Sequence, residues 1–292
     1  MRIGFVGLGS MGTPMAHNLV KAGFDVAGFD VNPKALAALA ANGGHPVSSA
    51  MEAARGAAVL VLMVVNVAQA EAVLFEAGAL AALAPGAVLL LMATCPPGSV
   101  RALAARVRDA GCGFVDCPVS GGTTGAEAAS LTIMAAADVA SFDKARPILE
   151  ALGDKVFHVG TEPGQGAVVK TVNQLLCGVH IAVAAEGLAL AAKVGVDPEV
   201  ILEILGGSSA ASWMLNDRGP RMVQADPPVS SAVDIFVKDL DIVLEAGRES
   251  KVALPLAAVA HQLFLASSGR GDGAADDSQL IRSYAVLNGT AR

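Results

Sequence analysis

The chain has 292 residues, enough for two domains or one large one, and 53% of them are hydrophobic. A net charge of −7 and a pI near 5.2 argue against nucleic acid or an anionic membrane as a partner. The mean hydropathy of +0.56 is high, but alanine and valine supply much of it. The apolar runs 57–65 and 87–93 fall well short of the ~20 residues of a membrane-spanning helix and read instead as strands buried on both faces.

The first predicted element is a strand over residues 2–6, which leaves no room for a basic leader and its cleavable apolar segment; a cytoplasmic location is expected. The strand runs into Gly7-x-Gly9-x-x-Gly12, and a helical pattern follows at Met15, Leu19 and Val20. Strand, glycine turn and helix in that order signal a dinucleotide site. Gly7 allows the tight turn, Gly9 admits a pyrophosphate to the backbone, and Gly12 lets the helix pack on the strand. Leu8, Ser10 and Met11 complete a loop that ends at the helix N-terminus, where phosphates bind. A second strand, 25–30, ends in Asp30, 18 positions after Gly12, where an acidic residue holds the adenosine ribose 2′-OH. Asp30 repels a 2′-phosphate and is followed by Val31 rather than an arginine, so the expected cofactor is NAD, not NADP.

Further strands are predicted at 58–64, 87–92, 113–116, 131–136 and 154–158, with alanine-rich helices between them. This β-α alternation predicts an α/β fold with a parallel, doubly wound Rossmann sheet. After Gly164 the alternation stops. A proline-free stretch from Gly166 to about Val194 predicts a helix of ~28 residues, ~42 Å at 1.5 Å per residue, long enough to join two domains. Helices near 198–205, 232–248, 254–268 and 277–286 make the second half all-helical, with Ser267–Asp277 as a polar loop. The expected domains are 1–163, binding NAD, and 164–292, serving substrate binding and dimerisation.

Lys170 is the anomaly of the long helix, the only charge between Val168 and Ala185. Apolar surroundings push a lysine pKa down from ~10.4, towards acid–base chemistry. Asn173 at i+3 and Gln174 at i+4 share its side of the helix and offer two amides to the same small polar ligand. A lysine snorkelling from a helix end is the other reading. Cys95, Cys112, Cys117 and Cys177 have no metal-ligand spacing and read as small buried hydrophobes, so no metal site is expected. His180 reads as a second proton relay or a core or interface histidine, and Trp213 as a pocket wall or core residue. Asp276 and Asp277 are candidate caps of the last helix.

With Lys170 added to the fingerprint, the chain resembles the β-hydroxyacid dehydrogenase family, which includes 3-hydroxyisobutyrate dehydrogenase and tartronate semialdehyde reductase, over essentially its whole length. The second motif reads Asp116-Cys117-Pro118-Val119-Ser120-Gly121-Gly122. The resemblance implies that Ser120 and the amides of Gly121 and Gly122 bind a substrate carboxylate; consecutive glycine N–H groups can form an anion nest. It implies Lys170 as the catalytic acid–base and Asn173 as the amide beside it; Gln174, on the same helix face, is expected to read a further substrate hydroxyl. It places Val64, Val65, Thr94 and Lys238 with the cofactor. Segments 64–69, 173–180, 212–214 and 231–239 look like the L-threonate dehydrogenase branch, whose members oxidise a four-carbon sugar acid at C2 with NAD. The alternatives are tartronate semialdehyde reductase, 3-hydroxyisobutyrate dehydrogenase and, from another class, a non-catalytic dinucleotide-binding protein. An imine reductase on the same scaffold is disfavoured by Lys170. The family also implies a homodimer or homotetramer. Among its departures, Ala129 stands where a glycine is usual before Ser130-Leu131, Leu91 and Ala93 stand where an aspartate is common, and Cys117 replaces an alanine.

Overall fold

The structure, a computed structural model, describes residues 1–289, and the elements counted are those of the described residues. The chain forms two compact units, Met1–Lys170 and Thr171 onward. Their boundary lies inside one continuous helix, Gln165–Lys193.

The first unit is built on nine strands: β1 Arg2–Val6, β2 Asp25–Phe29, β3 His45–Pro46, β4 Val59–Leu62, β5 Val88–Leu91, β6 Gly113–Asp116, β7 Val119–Ser120, β8 Thr132–Ala136 and β9 Lys155–Gly160. They lie in the order β3-β2-β1-β4-β5-β6-β8-β7, with β9 on β8. The strands from β3 to β6 are parallel. The expected parallel sheet needs one correction: β8 runs antiparallel to both β6 and β7. The helix between β7 and β8, Gly122–Glu127, is too short to carry the chain back across the sheet as a parallel pairing requires. The two-residue strands β3 and β7 have no apolar run and left no sequence signal.

The apolar runs split by alternate residues, as strands covered on both faces must. Ile3, Phe5, Val59, Val61, Val88 and Leu90 face one core with the helices Gly12–Lys21 and Val139–Leu152. Leu60, Leu62, Leu89, Leu91 and Phe114 face a second core with the helix Pro97–Asp109. Strand order reverses between β1 and β4, so a crevice opens at the carboxyl ends of those two strands.

The second unit is helical, with Pro198–Gly206, Trp213–Met222, Val233–Ser250, Pro255–Ser267 and Ile281–Leu287 around Ile181, Ala185, Leu188, Phe236, Leu240 and Phe264. Trp213–Met222 was not expected from the apolar pattern; Ser212, which accepts the Leu215 N–H at 3.0 Å, caps its start. The stretch expected as a polar loop is partly folded instead. Ser268–Asp272 forms a helical turn, and Ser267, Asp276, Asp277 and Ser278 are buried. The sequence contains one segment that its short apolar runs did not reveal, since Gln165–Lys193 is long and apolar enough to cross a membrane by length and composition. Ile181, Ala185 and Leu188, all buried in the helical core, make this stretch the central helix of the second unit.

Candidate active site

Each unit carries its own group of site residues. In the first, they sit at the carboxyl ends of the parallel strands: Gly7–Gly12 after β1, Asp30 after β2, Val64 and Val65 after β4, Thr94 after β5, and Asp116 to Ser120 at β6 and β7. That common edge follows from the sheet order alone, and it is where open α/β sheets bind ligands.

The glycines of the first loop have three different reasons to be glycine. Gly7 has φ +95°, and a Cβ there would stand 2.4 Å from the Met63 carbonyl oxygen. A Cβ on Gly12 would stand 1.8 Å from the Gly7 oxygen, so this position holds the helix close against the loop. A Cβ on Gly9 would meet no heavy atom within 4 Å. Nothing in the protein demands its smallness, which fits a phosphate group approaching the backbone above the helix N-terminus. Leu8 anchors the loop, with its side chain in the core and its N–H donated to Asp30 Oδ2 at 2.6 Å. Asp30 Oδ1 accepts the Asn32 N–H at 2.8 Å. A carboxylate has about four lone-pair sites, so Asp30 retains acceptor capacity for ribose hydroxyls. The residues present therefore fit NAD.

Gly121 and Gly122 have φ +127° and +61°, conformations only glycine adopts without strain. The loop thus presents bare backbone immediately after Ser120.

Asp116, which the motif alone leaves without a role, acquires one in the structure. It is 1% exposed at the end of β6, and its Oδ2 accepts the N–H groups of Gly164 at 2.8 Å and Ala167 at 2.9 Å. Burial pushes its carboxyl up to about 6, against the pull of backbone N–H groups from Ala167, Gly164 and Gly166. A Cβ on Gly166 would stand 2.4 Å from the Met134 oxygen and 2.6 Å from the Asp116 carbonyl oxygen. Only glycine lets the long helix begin against the sheet, and Lys170 follows four residues later, 7% exposed. The signal available in the sequence was a charge ending an otherwise apolar strand.

In the second unit, Asn173, Gln174 and Lys238 meet through Asp239. Gln174 Oε1 accepts from Asn173 Nδ2 at 2.8 Å, and Gln174 Nε2 donates to Asp239 Oδ2 at 2.5 Å. Asp239 Oδ1 pairs with Lys238 Nζ at 2.7 Å. Asp239 is the member sequence reasoning left without a role. His180 lies ten residues beyond Lys170, about 15 Å along the helix and turned about 80° from its face, too far to act as its relay. Trp213 is not a core residue: it is 52% exposed, with the Arg218 guanidinium 5.9 Å from its ring. Asp276 caps the last helical segment through the Ser278 N–H, but Asp277 does not share that task and pairs with Arg218. Among the described residues the cysteines form no disulfide; Cys95, Cys112 and Cys117 are buried and Cys177 is half-buried.

Two family profiles cover the chain: the NAD-binding domain of 6-phosphogluconate dehydrogenase over residues 2–160, and the NAD-binding domain of NADP-dependent 3-hydroxyisobutyrate dehydrogenase over residues 164–284. An L-threonate dehydrogenase from Cupriavidus necator is 43% identical over 97% of this chain and 95% of its own length. The chain belongs to the β-hydroxyacid dehydrogenase family. A 2-(hydroxymethyl)glutarate dehydrogenase from Eubacterium barkeri is 38% identical over 100% of this chain and 97% of its own. The crystal structure of a 3-hydroxyisobutyrate dehydrogenase from Salmonella typhimurium superposes with a TM-score of 0.92, at 38% identity over 96% of this chain and 98% of that one. This β-hydroxyacid dehydrogenase is thus an NAD-dependent oxidoreductase acting on the CH–OH group of small hydroxy acids, with a Rossmann domain and a helical domain.

Proposed function

We propose that this dehydrogenase oxidises a four-carbon sugar acid such as L-threonate at C2, with Lys170 as general base. The observation that carries the reading is Lys170 itself, a buried amine one helical turn beyond a start fixed against β6. The Cupriavidus necator relative supports the four-carbon class. Bound NAD supplies the hydride acceptor. Ser120 and the backbone of Gly121 and Gly122 hold the substrate carboxylate. Lys170, as the neutral amine, takes the hydroxyl proton at Nζ; in the reverse direction its ammonium returns it. Asn173 and Gln174 orient the lysine or a substrate hydroxyl. Gly7 to Gly12, Asp30, Val64, Val65, Thr94 and Lys238 hold the cofactor. The proposed domains are 1–163, which carries most of the cofactor-binding residues and the Ser120 loop, and 164–292, which carries Lys170, Asn173, Gln174 and Lys238.

A second reading, oxidation of a hydroxymethyl acid or reduction of the corresponding semialdehyde, is favoured by the names of the Eubacterium barkeri and Salmonella typhimurium proteins. NADH formation at 340 nm with L-threonate, D-erythronate, D-glycerate and 3-hydroxyisobutyrate separates the two. Preference for a four-carbon acid supports the first reading; turnover confined to 3-hydroxyisobutyrate replaces it with the second.

We further propose a cytoplasmic homodimer or homotetramer. Cysteines that form no disulfide among the described residues suit a reducing compartment, and Val183, Leu190, Leu256 and Val259 on the second unit expose apolar surface that a second copy would cover. Light scattering coupled to size exclusion measures the assembly directly.

A further inference from the structure

We propose that Asp116 is a positioning residue for catalysis: its buried carboxylate caps the first turn of the Gln165–Lys193 helix and thereby sets where Lys170 stands. This deepens the proposed function and rests on the reading of Lys170 as the proton shuttle.

An aspartate at the end of an apolar parallel strand, 1% exposed, is costly to bury unless its charge is met. What meets it is the start of the long helix. The first N–H groups of a helix have no intrahelical partner and carry the positive end of its dipole. Asp116 Oδ2 accepts one of them, Ala167 at 2.9 Å, together with the N–H of Gly164, the residue just before the helix, at 2.8 Å. Gly166 brings the helix close enough for this, since a Cβ there would stand 2.6 Å from the Asp116 carbonyl oxygen and 3.1 Å from Oδ2. The turn is thus pinned to the end of β6 by hydrogen bonds from Gly164 and Ala167 and by steric closeness at Gly166. Ala167 and Lys170 are three residues apart, about 4.5 Å along the axis, so a shift of the pinned turn moves the lysine with little attenuation. Asp116 itself is too buried to touch a substrate. Its contribution is where it puts the amine, and a misplacement of about 1 Å in a catalytic group can cost ~100-fold.

The test compares wild type, Asp116→Asn and Lys170→Ala by turnover of the preferred substrate, NADH titration by fluorescence, circular dichroism and crystal structures. For Asp116→Asn the expected result is a kcat lower by about 10–100-fold, NADH affinity within about twofold of wild type, and a displaced first turn with Lys170 moved alongside it. A kcat within twofold of wild type overturns the proposal. So does a kcat loss with the turn and Lys170 unmoved, or a parallel loss of NADH affinity. If Asp116→Asn does not fold, Gly166→Ala tests the same contact, because its Cβ would push that turn off the Met134 and Asp116 carbonyls. It is expected to lower kcat similarly, and an unchanged kcat overturns the proposal. Lys170→Ala separates the two levels: wild-type turnover in that variant refutes the shuttle itself. An inactive Lys170→Ala beside a fully active Asp116→Asn refutes only the role of Asp116.

Discussion

Asp30 and Leu8 are tied together, the Asp30 carboxylate accepting the Leu8 N–H at 2.6 Å. One residue directly follows β2 and the other lies in the loop after β1, so the carboxylate stands beside the glycine turn rather than out in solvent. An exposed Val31 follows it, with no arginine to receive a 2′-phosphate. Asp30→Ala removes charge-assisted hydrogen bonds worth about 1.5–3 kcal/mol. The KM for NAD is expected to rise about 10–100-fold with kcat changed much less. Asp30→Ser with Val31→Arg is expected to make NADP the better cofactor. Initial rates with both cofactors check this, and an unchanged NAD preference in the double variant counts against the role of Asp30.

Ala129 has φ +52°, a conformation an L side chain adopts at a cost of about 1–2 kcal/mol. Glycine pays no such strain but is more flexible when unfolded, which takes back part of the gain. Ala129→Gly is therefore expected to stabilise the protein by about 0.5–1 kcal/mol, raising Tm by about 1–3 °C. A thermal melt of both proteins decides it; a lower Tm for the variant would show that the strain is already relieved by its surroundings.

Arg218 and Asp277 form a buried pair, Nε to Oδ1 at 2.8 Å and a second guanidinium nitrogen to Oδ2 at 3.0 Å. They are 7% and 0% exposed on their side chains. Attraction to Asp277 and Asp217 keeps the Arg218 guanidinium charged despite burial, while burial raises the Asp277 carboxyl against that same attraction. Breaking such a pair by removing one partner costs about 3–5 kcal/mol when the other charge is stranded, and Asp217 beside Arg218 puts this case at the low end of that range. Asp277→Ala is expected to lose that much in a urea titration. Replacing both residues with apolar ones is expected to lose markedly less, and equal losses would argue that the pair is incidental.

Much of the fold could be read directly from the chain. The strands that position the cofactor loop are apolar runs bounded by glycine or charge; buried on both faces they show no alternation, and their length and bounds identify them. Gly7 and Gly12 have the tight turn and the close packing that their positions imply. The pieces that escaped, β3, β7 and the helix from Trp213, are short or amphipathic and depend on contacts far away in sequence. The same holds in the site. Lys170 stands out as a charge in an apolar run, whereas Asp116 and Asp239 gain their roles only from residues 48 and 65 positions away. No local pattern encodes such pairings.

The Asp116 carboxyl, at about 6, lies above its ordinary 3.8. The folded state thus holds this proton more tightly than the unfolded one, and the sign is opposite to that of a paired surface carboxylate. Its contribution to stability is fully present below pH ~4 and is lost as pH rises through about 6. The shift of roughly two units corresponds to about 3 kcal/mol. Asp116→Asn lacks this proton, so the stability of wild type relative to the variant is expected to fall between pH 4 and pH 7. Melts at pH 4.5 and 7 measure it; a difference that grows with pH would contradict the assignment.

The central claim is that Lys170 moves the proton, and the most direct test is Lys170→Ala assayed for NADH formation beside wild type, with NADH binding measured on the same samples. The account predicts turnover lower by about 10²–10⁴-fold with NADH affinity nearly unchanged. A variant that binds NADH and oxidises the acid at close to the wild-type rate would contradict it.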